Sequence, residues 1–379
     1  MQGAHRITAV FDSELCEAAM SRNHLLLYCR PGFESDMAGE IQDKAAEAGV
    51  YGYVKTKANS GYVVYITQED DGARQLMNRL SFDNLIFARQ WCAAVPLIND
   101  LPQGDRIGPI LEAFAEHDLP RCGDLILETA DTNEAKELSG FCKKFINPLR
   151  QTLRKKGLLT DKPNAKIPRL HCFFLDSSNV YIGTTDTRNS SPWPGGILRL
   201  KFPKTAPSRS TLKLEEAFHY FVPADEWDER LAPGMKAVDL GAAPGGWTWQ
   251  LVNRSMMVTA VDNGPMNKDL MESGQVTHRT EDAFTFKPEK RVDWMVCDIV
   301  DKPARSAELM GRWLAHRWCR EAIFNLKLPM KQRWMAVQEA LEKIEEMCLE
   351  RDLKVTLKCK QLFHDREEVT VHAIGERIR

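Results

Sequence analysis

AVDLGAAPGGWTWQL, residues 237–251, decides how the rest of the chain is read. An apolar run at 237–240 enters the turn Gly241-Ala-Ala-Pro-Gly-Gly246, and residues 247–251 continue as the first turns of a helix. In a strand, glycine turn, helix unit the glycines put no Cβ between backbone and ligand, and the first helical amides have no intrahelical partner. A nucleotide-type ligand is therefore expected at this turn. A phosphate-gripping loop needs Lys-Ser/Thr after its last glycine, but Trp247-Thr248 follows Gly246. The dinucleotide fingerprint wants glycine at its third position, where Ala243 stands. S-adenosylmethionine carries no phosphate and asks for a tight turn plus a carboxylate for its ribose.

The carboxylate is at hand. MMVTAVDNG, residues 256–264, reads as a second apolar strand ending at Asp262, about 20 residues beyond the first glycine, the spacing of a ribose-binding acid. Asp-Asn-Gly is also a favoured turn for backbone reasons alone. Paired with the glycine turn, the cofactor reading of Asp262 is preferred.

DLGAAPGGW resembles the cofactor loop of the FtsJ-type RNA ribose 2'-O-methyltransferases, in which the Pro-Gly-Gly-Trp variant is distinctive. The longer set SRSTLKLEEAF, VDNGPM, FNLKLPMK and HDREEVTVH, with YCRPGFE, LIFARQW, ADTNEAKEL and LKFPKTAPSRS upstream, is similar to the RlmM family of 23S rRNA cytidine-2'-O-methyltransferases, over residues 25–374. The resemblance implies a Rossmann-like class I methyltransferase domain, S-adenosylmethionine as cofactor, and 23S rRNA or a large-subunit precursor as partner. It implies cofactor contacts from Ser210, Ala243, Pro244, Gly245, Gly246, Asp262, Asp282 and Asp298. It also maps the family's Lys-Asp-Lys-Glu tetrad onto Lys213, Asp298, Lys327 and Glu368, with Glu367 the adjacent alternative to Glu368.

A length of 379 residues suits two or three domains, and 43% hydrophobic content suffices for ordinary cores. With 51 basic against 53 acidic residues, a nucleic-acid surface has to come from local clustering. Ten cysteines without a Cys-x-x-Cys pair or Cys/His ligand spacing argue against zinc and for reduced thiols in a cytoplasmic setting. No apolar run reaches membrane-spanning length and no export signal opens the chain. A monomer without a membrane association is expected, with residues 1–19 as a disordered extension or an upstream start.

Along the chain, residues 20–98 read as βαββαβ, a ferredoxin-like α+β module whose last strand falls within 85–98. Residues 99–186 read as a helix, the strand DLILETA, a long helix that Asn133 could cap, and a hairpin, in a module that resembles the THUMP domains of RNA-modifying enzymes. Within it, residues 143–156 hold Lys143, Lys144, Arg150, Arg154, Lys155 and Lys156 with no acid, a run suited to tracking phosphates where a solvated face is the plain alternative. A Pro/Gly/Ser/Asn-rich linker spans 187–208, where Trp193 reads as a packing residue, and residues 199–213 add five more basic residues. From 209 to 379 the α/β pattern gives strands at 237–240, 256–262, 292–297 and 322–328, with helices between, closed by an antiparallel pair at 354–363 and 368–374. This is a doubly wound sheet, whose ligands gather at the carboxyl ends of the strands, where Asp262, Asp298 and Lys327 fall.

Lys327 stands out because it interrupts the apolar run AIFNLKLPM, and an unpartnered lysine would be costly to bury there. Methyl transfer to a ribose hydroxyl aligns oxygen, carbon and sulfur and removes one proton. A lysine serves as base when burial and a second cation depress its pKa. The resemblance assigns that role to Lys327, with Lys213 as the second cation. Cys297 offers a competing reading, C5 methylation of a pyrimidine, although Val296-Cys297 lies within a strand and not in a Pro-Cys loop. Methylation of another RNA such as tRNA, or a noncatalytic assembly factor, are the remaining alternatives. Amino-group methylation is disfavoured because Asp298-Ile-Val-Asp lacks a Pro-Pro-aromatic stretch.

Overall fold

The computed structural model describes residues 22–377, so the expectation for residues 1–19 lies outside the described residues. The chain divides into two compact units, the first continuing through Phe87–Ile197 and the second comprising Asn84–Ile86 and Leu198–Arg379.

In the first unit β1 (His24–Tyr28), α1 (Glu34–Glu47), β2 (Gly52–Thr56), β3 (Tyr62–Thr67), α2 (Gly72–Arg79) and β4 (Gln90–Ala94) follow one another as βαββαβ. Their strands pair antiparallel in the order β2-β3-β1-β4, the ferredoxin-like arrangement. The last strand is shorter than its apolar run, because only Gln90–Ala94 finds ladder partners on β1. There follow α3 (Ile107–Glu116), β5 (Asp124–Thr129), α4 (Asn133–Lys136), α5 (Leu138–Lys155), β6 (Arg169–Phe174) and β7 (Val180–Thr185). The cap of α4 is Thr132 and not Asn133: the Thr132 hydroxyl accepts the Ala135 N–H at 3.1 Å, whereas Asn133 is already helical. The β7 strand pairs with β4 through Ala93↔Thr184 and Ala94↔Gly183, so both modules share one seven-stranded sheet, β2-β3-β1-β4-β7-β6-β5. Gly183 permits the approach, since a Cβ there would sit 2.6 Å from the Ala93 carbonyl oxygen.

The second unit holds α6 (Thr211–Phe221), α7 (Trp227–Arg230), β8 (Lys236–Leu240), α8 (Gly246–Val252), β9 (Met257–Val261), α9 (Lys268–Glu272), β10 (Val276–Arg279), β11 (Val292–Cys297), α10 (Pro303–Ala315), β12 (Cys319–Lys327), α11 (Arg333–Leu349), β13 (Leu353–Lys360) and β14 (Glu368–Arg377). The sheet order is β10-β9-β8-β11-β12-β14-β13, parallel as far as β12 and antiparallel for β14 and β13. This is the Rossmann-like methyltransferase arrangement expected from the α/β pattern. The β10 strand was not legible, because Val-Thr-His-Arg is too short and too polar to show a period. Central strands β8, β11 and β12 are buried along almost their whole length, as parallel strands covered on both faces must be.

Leu214, Phe218 and Phe221 of α6 pack with Trp247 and Leu251 of α8 against Ala237, Trp294 and Ile323 of the sheet. Trp294 is 1% exposed, meets Phe218 edge-on at 5.7 Å and donates its indole N–H to the Arg230 carbonyl at 2.7 Å. Trp294→Ala should lower the stability of this unit by about 3–5 kcal/mol, the cost of emptying a large buried aromatic site. Urea unfolding of the full chain would show it, and a loss below about 1 kcal/mol would mean that the cavity collapses and that Trp294 is not a keystone.

Candidate active site

Four charged side chains meet at the carboxyl end of the second sheet. Asp298 follows β11 directly, Lys327 closes β12, Glu368 opens β14, and Lys213 lies in the first turn of α6. The antiparallel register places Lys327 opposite Glu368. The Lys213 Nζ lies 3.2 and 3.1 Å from the two Asp298 oxygens and 2.5 Å from Glu368 Oε1. The Lys327 Nζ donates to Asp298 Oδ1 at 3.4 Å and to Glu368 Oε2. Each carboxylate thus bridges both ammonium groups. The two neighbouring acids point in different directions: the Glu368 side chain is 3% exposed and faces the lysines, whereas Glu367 is 61% exposed and pairs with Arg333 at 2.7 Å.

Burial holds the Lys327 ammonium below the usual lysine range; Asp298 opposes that shift and the Lys213 charge adds to it. Cys297, one residue before Asp298, is 3% exposed, and burial pushes its thiol up to about 12. A thiol so buried is not a nucleophile poised for pyrimidine chemistry.

Beside the tetrad lies a cavity of about 300 Å³ lined by Gly241, Asp262, Glu281, Asp282, Phe284, Asp298 and Val300 among others. Its lining contains four carboxylates and no lysine or arginine. Such a wall repels a pyrophosphate and suits a phosphate-free cofactor bearing hydroxyls, an amine and a sulfonium. Asp262 is tied to the backbone of the glycine turn and of the loop after β9. Its Oδ2 accepts the Ala243 N–H at 3.0 Å and its Oδ1 the Gly264 N–H at 2.7 Å, which fixes the turn. Each oxygen keeps a further lone pair for a ribose hydroxyl. Asp282 is exposed at the rim, where its Oδ1 accepts the Phe284 N–H at 2.9 Å.

The glycine turn is a cradle in the literal sense. Gly241 (φ +74°) and Gly245 (φ +115°) adopt left-handed backbone, and a Cβ on Gly246 would overlap Ser210 Oγ and lie 2.5 Å from Ser208 Oγ. Ser210 therefore abuts Gly246, with its hydroxyl 2.5 Å from that of Ser208. The Ala243–Pro244 peptide bond between these glycines is cis.

Sequence reasoning missed Asp239, a 1% exposed acid in the middle of β8 that accepts the Thr248 hydroxyl at 2.6 Å. Burial pushes its carboxyl up to about 7, with Asp298 and Asp262 adding to the effect. The signal was the same as for Lys327, a charge inside an apolar run. Also missed were Asn325 and Thr370, which face one another behind Asp298.

In the first unit, Lys143, Lys144, Lys155 and Lys156 are exposed. Arg150 and Arg154 are half-buried and donate to the Leu125 and Thr160 carbonyls at 3.3 and 3.1 Å, lining a cleft that also holds Asp124. The six charges are thus not equivalent: four lysines project freely, and two arginines also brace α5 against its neighbours. Lys213, counted in the second basic stretch, turns into the tetrad.

Three family models match the chain: an RlmM ferredoxin-like domain over residues 22–92, ribosomal RNA large subunit methyltransferase M, N-terminal, over 105–186, and an FtsJ-like methyltransferase over 206–352. Among solved structures, a possible methylase from Clostridium difficile 630 covers 94% of this chain and 99% of its own at 14% identity and a TM-score of 0.34. The ribosomal RNA large subunit methyltransferase M of Vibrio parahaemolyticus serotype O3:K6 is 56% identical over 92% of this chain and 97% of its own length, and that of Pseudomonas fluorescens 55% identical over 92% and 96%. On that similarity the chain belongs to the ribosomal RNA large subunit methyltransferase M family.

Proposed function

We propose that this chain moves the methyl group of S-adenosylmethionine to the ribose 2'-hydroxyl of a cytidine in 23S rRNA or its large-subunit precursor, working as a monomer. The observation that carries the reading is Lys327, half-buried between Asp298 and Glu368 at the edge of an acid-lined cavity that Asp298 shares. The family membership supports the large-subunit rRNA substrate, and the FtsJ-like match supports the ribose hydroxyl as acceptor.

When bound, S-adenosylmethionine supplies an electrophilic methyl carbon on a sulfonium. Asp262 would hold its ribose, Asp282 the adenine amine, and the 243–246 backbone with Ser210 its amino-acid end, while Asp298 faces it from the tetrad. Lys327 takes the hydroxyl proton as the oxygen attacks in line. Glu368 and Asp298 keep Nζ aimed, and Lys213 both fixes Asp298 and lowers the proton affinity of Lys327. We assign RNA capture to the module at 99–186, through the exposed lysines of α5 and its C-terminal end, and the chemistry to residues 209–379. No helix among the described residues is long and apolar enough to cross a membrane.

Lys327→Ala should abolish single-turnover methylation while leaving cofactor affinity nearly intact, because its contribution is made in the transition state. Lys327→Arg should not rescue it, since a guanidinium cannot accept the proton. The wild-type rate should rise with pH and level off below the ordinary lysine pKa of about 10.4, since the deprotonated lysine is the active form and burial depresses its pKa. Near wild-type turnover by Lys327→Arg would reduce Lys327 to an orienting group.

Calorimetric titration of Asp262→Ala should show S-adenosylmethionine binding weakened by about 1.5–3 kcal/mol, with no binding of NAD to the wild type. Saturable NAD binding without a response to S-adenosylmethionine would overturn the cofactor assignment.

Neutralising Lys143, Lys144, Lys155 and Lys156 together should weaken RNA binding and flatten its salt dependence, leaving cofactor affinity alone. An unchanged salt slope would return these lysines to a solvated face.

A further inference from the structure

Behind Asp298 a single file of polar groups runs into the interior of the second unit. Asn325 Nδ2 lies 2.9 Å from Asp298 Oδ1, Thr370 Oγ1 lies 2.8 Å from Asn325 Oδ1, and the same hydroxyl lies 3.2 and 3.0 Å from the two oxygens of Asp365. Asn325 is 1% exposed, and Thr370 and Asp365 are fully buried. Asn325 and Thr370 are cross-strand partners on β12 and β14, the strands that also carry Lys327 and Glu368.

The proton inventory of this file has one consistent solution. Asp298 contacts two ammonium groups and is an acceptor, so Asn325 must present its NH2 to it and its carbonyl oxygen to Thr370. A threonine hydroxyl has one proton, and that proton is then committed to Asn325 Oδ1. Toward Asp365 the hydroxyl can only accept, so the hydrogen must come from Asp365. An ionised Asp365 would instead draw the Thr370 proton to itself and leave Asn325 Oδ1 facing an oxygen lone pair in a buried site, a costly arrangement.

We infer that Asp365 is a positioning residue that works as a neutral acid, donating to Thr370 and so orienting Thr370 and Asn325 to hold Asp298 between the two lysines. The inference rests on the tetrad being the site of methyl transfer, and it adds three residues to that site without giving any of them contact with substrate. The groups that face Asp365 agree with it. Glu216 of α6 lies near enough for its charge to oppose ionisation, and is itself held by the His364 ring at 2.6 Å and by the Phe363 and His364 N–H groups at 2.8 and 2.9 Å. Lys213 and Lys327 act in the opposite direction, and the Leu362 N–H donates to Asp365 Oδ2 at 2.9 Å. Burial outweighs these and pushes the carboxyl up to about 8.

The test compares isosteres. Asp365→Asn keeps a donor for Thr370 and an acceptor for the Leu362 N–H, so its single-turnover rate should exceed that of Thr370→Val by about fivefold or more. Thr370→Val has the same shape but breaks the file, and should lower that rate about tenfold or more with cofactor Kd and RNA KM unchanged. Thr370→Ser should restore it. Infrared difference spectra of wild type against Asp365→Asn at neutral pH should show the carbonyl stretch of a protonated carboxylic acid. That band is read without turnover, so it decides the state of Asp365 even if the tetrad assignment fails. A rate for Asp365→Asn as low as that of Thr370→Val, a Thr370→Val enzyme as fast as wild type, or a carboxylate band in place of the acid band would each overturn the inference.

Discussion

Two ammonium groups shared between two carboxylates at the end of a parallel sheet are the constraint on which the second unit depends. Taking any of these ions from water costs several kcal/mol unless its charge and hydrogen bonds are met locally. Here each carboxylate touches both lysines, so no member can leave without stranding a charge. The balance is two against two, and Lys327 is the member whose charged form burial disfavours. The arrangement thus keeps three charges in place while leaving one proton negotiable, which is what a base acting on a sugar hydroxyl needs.

The fold supplies the geometry. The order β9-β8-β11-β12-β14 brings the ends of β8, β11 and β12 side by side, so the glycine turn, Asp298 and Lys327 all lie at the carboxyl end of the sheet. The antiparallel β14 then returns a strand whose first residue, Glu368, lies opposite Lys327. A parallel strand at that place would have delivered its carboxyl end and not its start. The acid-lined cavity beside the tetrad suits a phosphate-free cofactor, since four carboxylates in its wall disfavour a pyrophosphate.

Much of this was legible in the residues. The glycine turn with Asp262 pointed to the cofactor, and a lysine inside AIFNLKLPM pointed to nearby carboxylates, which Asp298 and Glu368 supply, because both features break a local rule. Lys213 and Glu368 were not legible by periodicity and came from resemblance alone; their role depends on register and on helix placement, which are properties of pairing across distant strands. The same limit hid Asn325, Thr370 and Asp365, each unremarkable in sequence until β12 and β14 are aligned. The short β10 strand escaped for another reason, since its side chains are too polar to show alternation. In the basic run at 143–156, sequence gave sign but not direction: two of the six cations turn inward to carbonyl oxygens.

The central claim is that Lys327, held by Asp298 and Glu368, serves methyl transfer from S-adenosylmethionine to a ribose oxygen and not to a nucleobase. Its most direct test is to incubate the protein with S-adenosylmethionine labelled in its methyl group and large-subunit rRNA from cells lacking the protein, digest the RNA to nucleosides, and locate the label by mass spectrometry. The account predicts label on the sugar of cytidine, as 2'-O-methylcytidine. Label on the pyrimidine ring would contradict it.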